Sequence, residues 1–251
     1  MKLHVVHLAC VTTLGLAAAY AAPAAAQTAP TDDRRGAYIG LQAGIAKTSD
    51  VDLSYYDVGG TFGGTGTTDT AAFRADVKSA FAVAGVVGYD FGMIRADVQV
   101  DYTRAKIDSL TLRSVNGAAV PASALTGACA YLELSPCTVS GSTIRGGNSK
   151  LRQASALANL WLDVPTGSVV TPYLGGGAGI GGYEVDGEGK ARFAWQLGAG
   201  LAVSLSPAVK LTGDFRHRQI GGARIPDEQN SGTIVGKVKA NTFTAGLRFG
   251  F

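Results

Sequence analysis

The residues of this chain that are best equipped for chemistry are few and scattered. Beyond position 26 there is a single histidine, His217. A serine activated by histidine must lie within hydrogen-bond reach of it. Here Arg218-Gln219-Ile220-Gly221 follows, and Ser231 would approach only by loop folding. One histidine is also too few for a zinc site. Gly177-x-Gly179-x-x-Gly182 has the spacing of the dinucleotide fingerprint, but that motif works only where a helix follows and offers its N-terminus to the pyrophosphate. Tyr183-Glu184-Val185-Asp186-Gly187 reads as a turn instead. The Gly- and Thr-rich run from Gly59 to Thr70 lacks the Gly-Lys-Ser/Thr ending of a phosphate cradle and reads as a surface loop. No catalytic residue, metal or cofactor is expected.

The N-terminus points to export. Lys2 precedes an almost wholly apolar run from Val5 to Ala22, and Ala24-Ala25-Ala26 gives the small-x-small pattern of a cleavage site. Residues 1–26 are read as a signal peptide and 27–251 as one domain. Of the three cysteines, Cys10 leaves with that segment. Cys129 and Cys137 then remain in an oxidising compartment, where they are expected to form a disulfide. With 22 basic and 19 acidic residues, the chain is too balanced to suggest nucleic acid as a partner.

The elements that position the remaining polar residues show up as period. No later segment has the roughly 18 consecutive apolar residues of a spanning helix. Segments of about ten residues alternate instead, as membrane strands do. From Met93 to Tyr102, Ile94, Ala96, Val98, Val100 and Tyr102 share one face, with Arg95, Asp97, Gln99 and Asp101 on the other. A period of 3.6 would smear both sets around a helix. The same rule holds from Phe193 to Ser204 and from Thr242 to Phe251, and less strictly in Gly36–Ala46, Lys78–Asp90, Leu151–Asp163, Thr171–Tyr183 and Val209–Gln219. Together these predict an all-β fold, an eight-stranded antiparallel transmembrane barrel. Short turns alternate with long connections at 47–77, 103–150, 185–190 and 220–235, which places the former in the periplasm and the latter outside.

Because the charged face must be the interior, Arg95, Asp97, Asp101, Asp214, Arg216, Arg218 and Arg248 are expected to meet in the lumen. Eight strands leave room for little more than side chains. Aromatic residues gather at both ends of the apolar face, as in interfacial belts. Trp161, Tyr173 and Tyr183 depart from this and point inward by parity. Inward glycines at 175, 177, 179 and 181 leave space either for neighbouring side chains or for water.

Several segments carry a resemblance. Gly36-Ala37-Tyr38-Ile39-Gly40, Gly88-Tyr89-Asp90-Phe91, Ala158-Asn159-Leu160-Trp161-Leu162-Asp163, Pro172-Tyr173-Leu174-Gly175-Gly176-Gly177, Trp195-Gln196-Leu197-Gly198-Ala199-Gly200 and Leu247-Arg248-Phe249-Gly250-Phe251 occur in order. In them the chain resembles small outer-membrane barrels related to the transmembrane domain of outer-membrane protein A, and the porin-family surface antigens of alphaproteobacteria. The resemblance implies a Gram-negative outer membrane, with lipid and lipopolysaccharide as surroundings. It also implies that the assembly machinery reads Leu247, Phe249 and Phe251 on the last strand. The expected role is structural or a surface contact through the long loops, foremost the 103–150 loop with its apolar stretch Ala118 to Leu125. A narrow channel is the alternative. A lipid A hydrolase built on His217 comes last, since the Ser and Asn such enzymes need do not follow it.

Overall fold

The computed structural model describes residues 35–49, 51–57, 69–120, 125, 129, 135–147, 149–185, 188–226 and 233–251. The segment read as a signal peptide and most of the Gly59–Thr70 run lie outside the described residues.

Among the described residues twelve strands form one antiparallel sheet: β1 (Gly36–Thr48), β2 (Val51–Asp57), β3 (Asp69–Val77), β4 (Ala80–Asp90), β5 (Ile94–Val115), β6 (Cys137–Ser140), β7 (Thr143–Gly146), β8 (Lys150–Asp163), β9 (Val170–Val185), β10 (Glu188–Ser206), β11 (Val209–Pro226) and β12 (Thr233–Gly250). Eight of them close a ring in the order β1-β4-β5-β8-β9-β10-β11-β12, and β12 returns to β1 with Tyr38 opposite Gly250 and Thr48 opposite Ala240. Closure pairs every strand edge, as a wall in lipid requires.

The other four strands are continuations. β2 prolongs β1 along β12, with Leu53 opposite Gly236, and β3 prolongs β4 along β5, with Val77 opposite Ile107. β2 and β3 pair with each other, and β7 prolongs β8 along β5 while closing a hairpin with β6. The barrel wall therefore rises well beyond the strand limits predicted from alternation. Much of 47–77, 103–150 and 220–235 is strand rather than loop, and the 185–190 connection is itself a hairpin between β9 and β10. The reason is a change of phase. On β12, Phe243, Ala245 and Leu247 face out and are apolar, but farther along Lys237 and Lys239 are exposed while Val238 and Ala240 are buried. On β5, Val98, Val100 and Tyr102 face out, and then Arg104 and Lys106 are exposed while Ala105 is buried. The apolar set switches faces, and a switch of face looks like the end of a strand.

At the opposite rim the turns are tight. Gly92, with φ of +108°, completes the turn after Asp90, whose Oδ1 accepts from the Gly92 amide at 2.8 Å. Ser206 Oγ accepts from the amides of Ala208 and Val209 at 3.3 and 3.1 Å. Beyond the ring at the long end, Ala71, Leu112, Leu125 and Ile144 form a small separate core beside Cys129 and Cys137, which are joined in a disulfide with Cα atoms 5.8 Å apart.

Candidate functional site

The wall turns apolar side chains outward across the ring: Leu41, Ile45, Val87, Val98, Leu160, Ile180, Phe193, Leu197 and Phe243 are all exposed, and Phe81 is 67% exposed. A continuous apolar band of this kind is stable only against lipid. The candidate site is therefore the lumen.

Alternation places one inward side chain every second residue, and the strands bring four buried arginines, Arg95, Arg216, Arg218 and Arg248, against four buried aspartates, Asp97, Asp101, Asp163 and Asp214. Their geometry is mutually supporting. Arg95 Nε donates to both oxygens of Asp163 at 2.8 and 2.9 Å, and its guanidinium lies 4.8 Å from the Tyr173 ring centre. Asp97 accepts from Tyr38 Oη at 2.8 Å, Asn159 Nδ2 at 2.7 Å and Trp161 Nε1 at 2.9 Å. Asp214 accepts from Tyr173 Oη at 2.6 Å, Gln42 Nε2 at 3.0 Å and Arg216 Nη2 at 3.2 Å. Nearer the long end, Asp101 accepts from Arg218 and from Ser155 Oγ at 2.5 Å. Gln196 bridges Asn159 and Gln99, and Arg216 also donates to Gln99. Buried charge is tolerable chiefly when paired and hydrogen-bonded, and here Arg95, Arg216 and Arg218 each meet an aspartate, with amides, phenols and an indole completing the carboxylates' contacts.

Of the seven charged lumenal residues predicted, Asp97, Asp101, Asp214, Arg216 and Arg218 fall within this network, and Arg95 joins it through Asp163 and Tyr38. Arg248 is buried but stands apart: its guanidinium lies 5.4 Å from the Tyr38 ring centre, and its Nη atoms have no hydrogen-bond partner among the described residues. Asp163, Asn159, Gln42, Gln99, Gln196 and Ser155 were not singled out from sequence. Their signal was present, since each holds the inward parity of its strand.

Trp161, Tyr173 and Tyr183 do point inward, and glycines make room for them. A Cβ at Gly175 would stand 2.7 Å from Trp161 Cε3, and one at Gly200 would stand 2.6 Å from Tyr173 Cζ. At Gly181 it would meet Ala194 Cβ and Ile220 Cγ1, both at 2.9 Å. The space at Gly175, Gly177 and Gly181 is thus taken by neighbouring side chains, while Gly179 lies against the backbone of Ala156 and Leu157.

Above the polar layer the lumen changes character. Ile220, Val238, Ala194, Leu151 and Ala105 pack with Val51, Val77 and Tyr183 into an apolar layer across the barrel, which Leu157, 0% exposed, joins from between Asn159 and Ser155 of the polar layer. Two internal spaces in the polar layer have volumes of about 20 Å³ each, roughly one water molecule. His217 lies outside this arrangement, on the outer face. Its Nδ1 is 2.7 Å from Asn241 Oδ1 and its ring centre 5.8 Å from that of Trp195. Among the described residues no group of three or more His, Cys, Asp or Glu is placed to hold a metal.

A closed antiparallel barrel with a lipid-facing wall and a packed, charge-balanced interior defines a transmembrane β-barrel protein. Residues 12–251 match the outer membrane protein beta-barrel domain, and the chain belongs to that family of Gram-negative outer-membrane proteins. It is 30% identical over 172 residues to an uncharacterized protein of Brucella abortus, a match covering 59% of this chain and 55% of the other. The chain thus spans about half the length of the curated relatives it matches. Among solved structures it is similar to the outer membrane protein OprG of Pseudomonas aeruginosa, with 15% identity, TM-score 0.51, and 88% and 99% of the two chains covered. It also aligns with Neisserial surface protein A, with 21% identity, TM-score 0.48, and 86% and 97% covered.

Proposed function

We propose that this protein is a sealed outer-membrane barrel whose work is done by the head built on its long end, which it presents at the cell surface as a contact surface. One observation carries this reading: the lumen is filled by a charge-balanced network and then by an apolar layer, while the head has a core and a disulfide of its own. A pore would need neither layer, and a barrel with no external role would not need the head. The orientation that goes with it puts the tight turns in the periplasm and the head outside. The terminal strand, with Leu247, Phe249 and Phe251, then faces the assembly machinery from the periplasmic side, as edge-strand recognition requires. The protein is read as non-enzymatic, since among the described residues the partner of His217 is an asparagine and not a serine.

Conductance of the refolded protein in a planar bilayer tests the reading, with the Asp97→Asn, Arg248→Gln double variant alongside. A silent bilayer containing heat-modifiable folded protein is expected. Discrete openings whose ion selectivity changes in the variant would replace this reading with that of a narrow channel for small solutes. His217→Ala should leave the cell's lipid A profile unaltered.

A further inference from the structure

Directly opposed like charges destabilise a sheet, yet the outer face carries two such pairs in succession. Arg104 on β5 stands opposite Arg152 on β8, and Lys106 stands opposite Lys150 one step farther along the same face. Glu184 on β9 takes one of the four, Arg152, at 2.7 Å. No ion pair or hydrogen bond among the described residues reaches the side chains of Arg104, Lys106 or Lys150, which are all exposed. The neighbouring carboxylate of Asp108 is already held by Lys78 at 2.9 Å.

The cluster also has a defined height. It begins directly above Tyr102, where the outward face of β5 stops being apolar and the inward face begins to be. From Ile94 to Arg104 is ten residues, which at about 3.3 Å each and a tilt of about 40° is a rise of about 25 Å, the height of the apolar band of such barrels. The four cations therefore lie at the plane where lipid headgroups begin, above an aromatic residue that anchors in that plane. Basic groups clustered there attract anionic headgroups.

We propose that Arg104, Lys106, Lys150 and Arg152 form a binding site for the phosphate groups of a phosphorylated glycolipid of the outer leaflet, of the lipid A type. The proposal rests on the orientation given above, which puts this rim in the outer leaflet. Bound phosphate turns two repulsive cross-strand pairs into four attractive contacts, so the lipid becomes part of the wall.

The test uses the refolded full-length mature protein in phosphatidylcholine nanodiscs with or without lipid A, and the variant Arg104→Gln, Lys106→Gln, Lys150→Gln, Arg152→Gln. Lipid A should raise the thermal unfolding midpoint of the wild type, and the variant should lose that rise and retain at least about tenfold less lipid A on purification. In phosphatidylcholine alone the variant should be about as stable as the wild type, because the two repulsive pairs are lost together with the partly exposed Arg152–Glu184 ion pair. Lys190→Gln with Arg192→Gln, which removes charge from β10, two strands away from the cluster on β5 and β8, should behave as wild type. An undiminished rise in the quadruple variant would overturn the site. So would an equal rise with lipid A stripped of its phosphates, or one reproduced by inorganic phosphate, which would make the ligand free anion instead of lipid. External labelling of Lys190→Cys on intact cells reports the orientation separately, so failure of that reading is distinguishable from failure of the site.

Discussion

The lower and upper halves of the barrel solve opposite problems with the same strands. Toward the tight turns, Phe249, Leu247 and Phe243 look outward while Arg248 and Thr244 look inward; toward the head, Lys237 and Lys239 look outward while Val238 and Ala240 look inward. The lower half is built for lipid, with its polar groups turned in and most of its charges paired with one another. The upper half is built like a soluble barrel, with an apolar core and a charged exterior. Polarity is thus set by the solvent at each height and not by the strand, and the inversion marks the boundary between the two solvents.

That contrast makes the halves separable by mutation. The largest effect is expected in the polar layer. Asp97→Ala removes one acceptor from Tyr38, Asn159 and Trp161 together. It should cost about 3–5 kcal/mol, the usual range for breaking a buried charged network, read as urea-induced loss of the heat-modifiable form. If Asp97→Ala is as stable as wild type, the polar layer is hydrated and not a packed plug. In the apolar layer, Leu157→Ala should cost about 2–5 kcal/mol as a cavity forms, by the same assay, with no conductance appearing. A smaller loss accompanied by channel openings would show that this layer seals the barrel without stabilising it. Gly200→Ala, pressing on Tyr173 from the facing strand, should cost about 1–3 kcal/mol through overpacking.

The head should respond separately. Replacing Cys129 and Cys137 by Ser opens a link spanning 8 positions, for which the chain-entropy model gives about 2–3 kcal/mol. The loss should appear as faster proteolysis of the head while the barrel's own unfolding midpoint stays put. A barrel that melts earlier would mean head and wall are one cooperative unit. The smallest effect belongs to Asp108 and Lys78, exposed beyond the lipid band. Lys78 holds the Asp108 carboxyl below its usual range, so whatever this pair contributes is present above the usual carboxylate pKa and is lost as pH falls through the lowered one. Asp108→Asn should leave the unfolding midpoint unchanged between pH 8 and pH 5, because an exposed ion pair contributes little.

The lower barrel was almost fully legible because lipid outside and charge inside give the two faces of each strand maximal contrast. Ile94 through Tyr102 against Arg95 through Asp101 is the plainest case. Asp163 and Asn159 are inward residues of an alternating strand, yet neither proclaims its role without knowing that Arg95 and Asp97 sit opposite on β5, where Asp97 faces Asn159. Partnership across a barrel is a property of register, which no single strand contains. The upper half was obscured for a different reason. Leu157 breaks the polar inward run of β8, and Ala105 and Val238 appear on what had been the polar face. A reader tracking one face sees alternation fail, when what has changed is the medium around it.

The seam between β1 and β12 carries a last consequence. Tyr38 pairs with Gly250 and the Phe251 amide donates to Ala37 at 2.9 Å, so the contact that closes the ring joins residues about 210 positions apart. Loop-closure entropy makes so distant a pairing a late event. Until it forms, the first and last strands are both naked edges with matching hydrogen-bond patterns, available to any other strand. The ring is therefore most vulnerable, to mispairing and to exchange between copies, in the interval just before it becomes a ring.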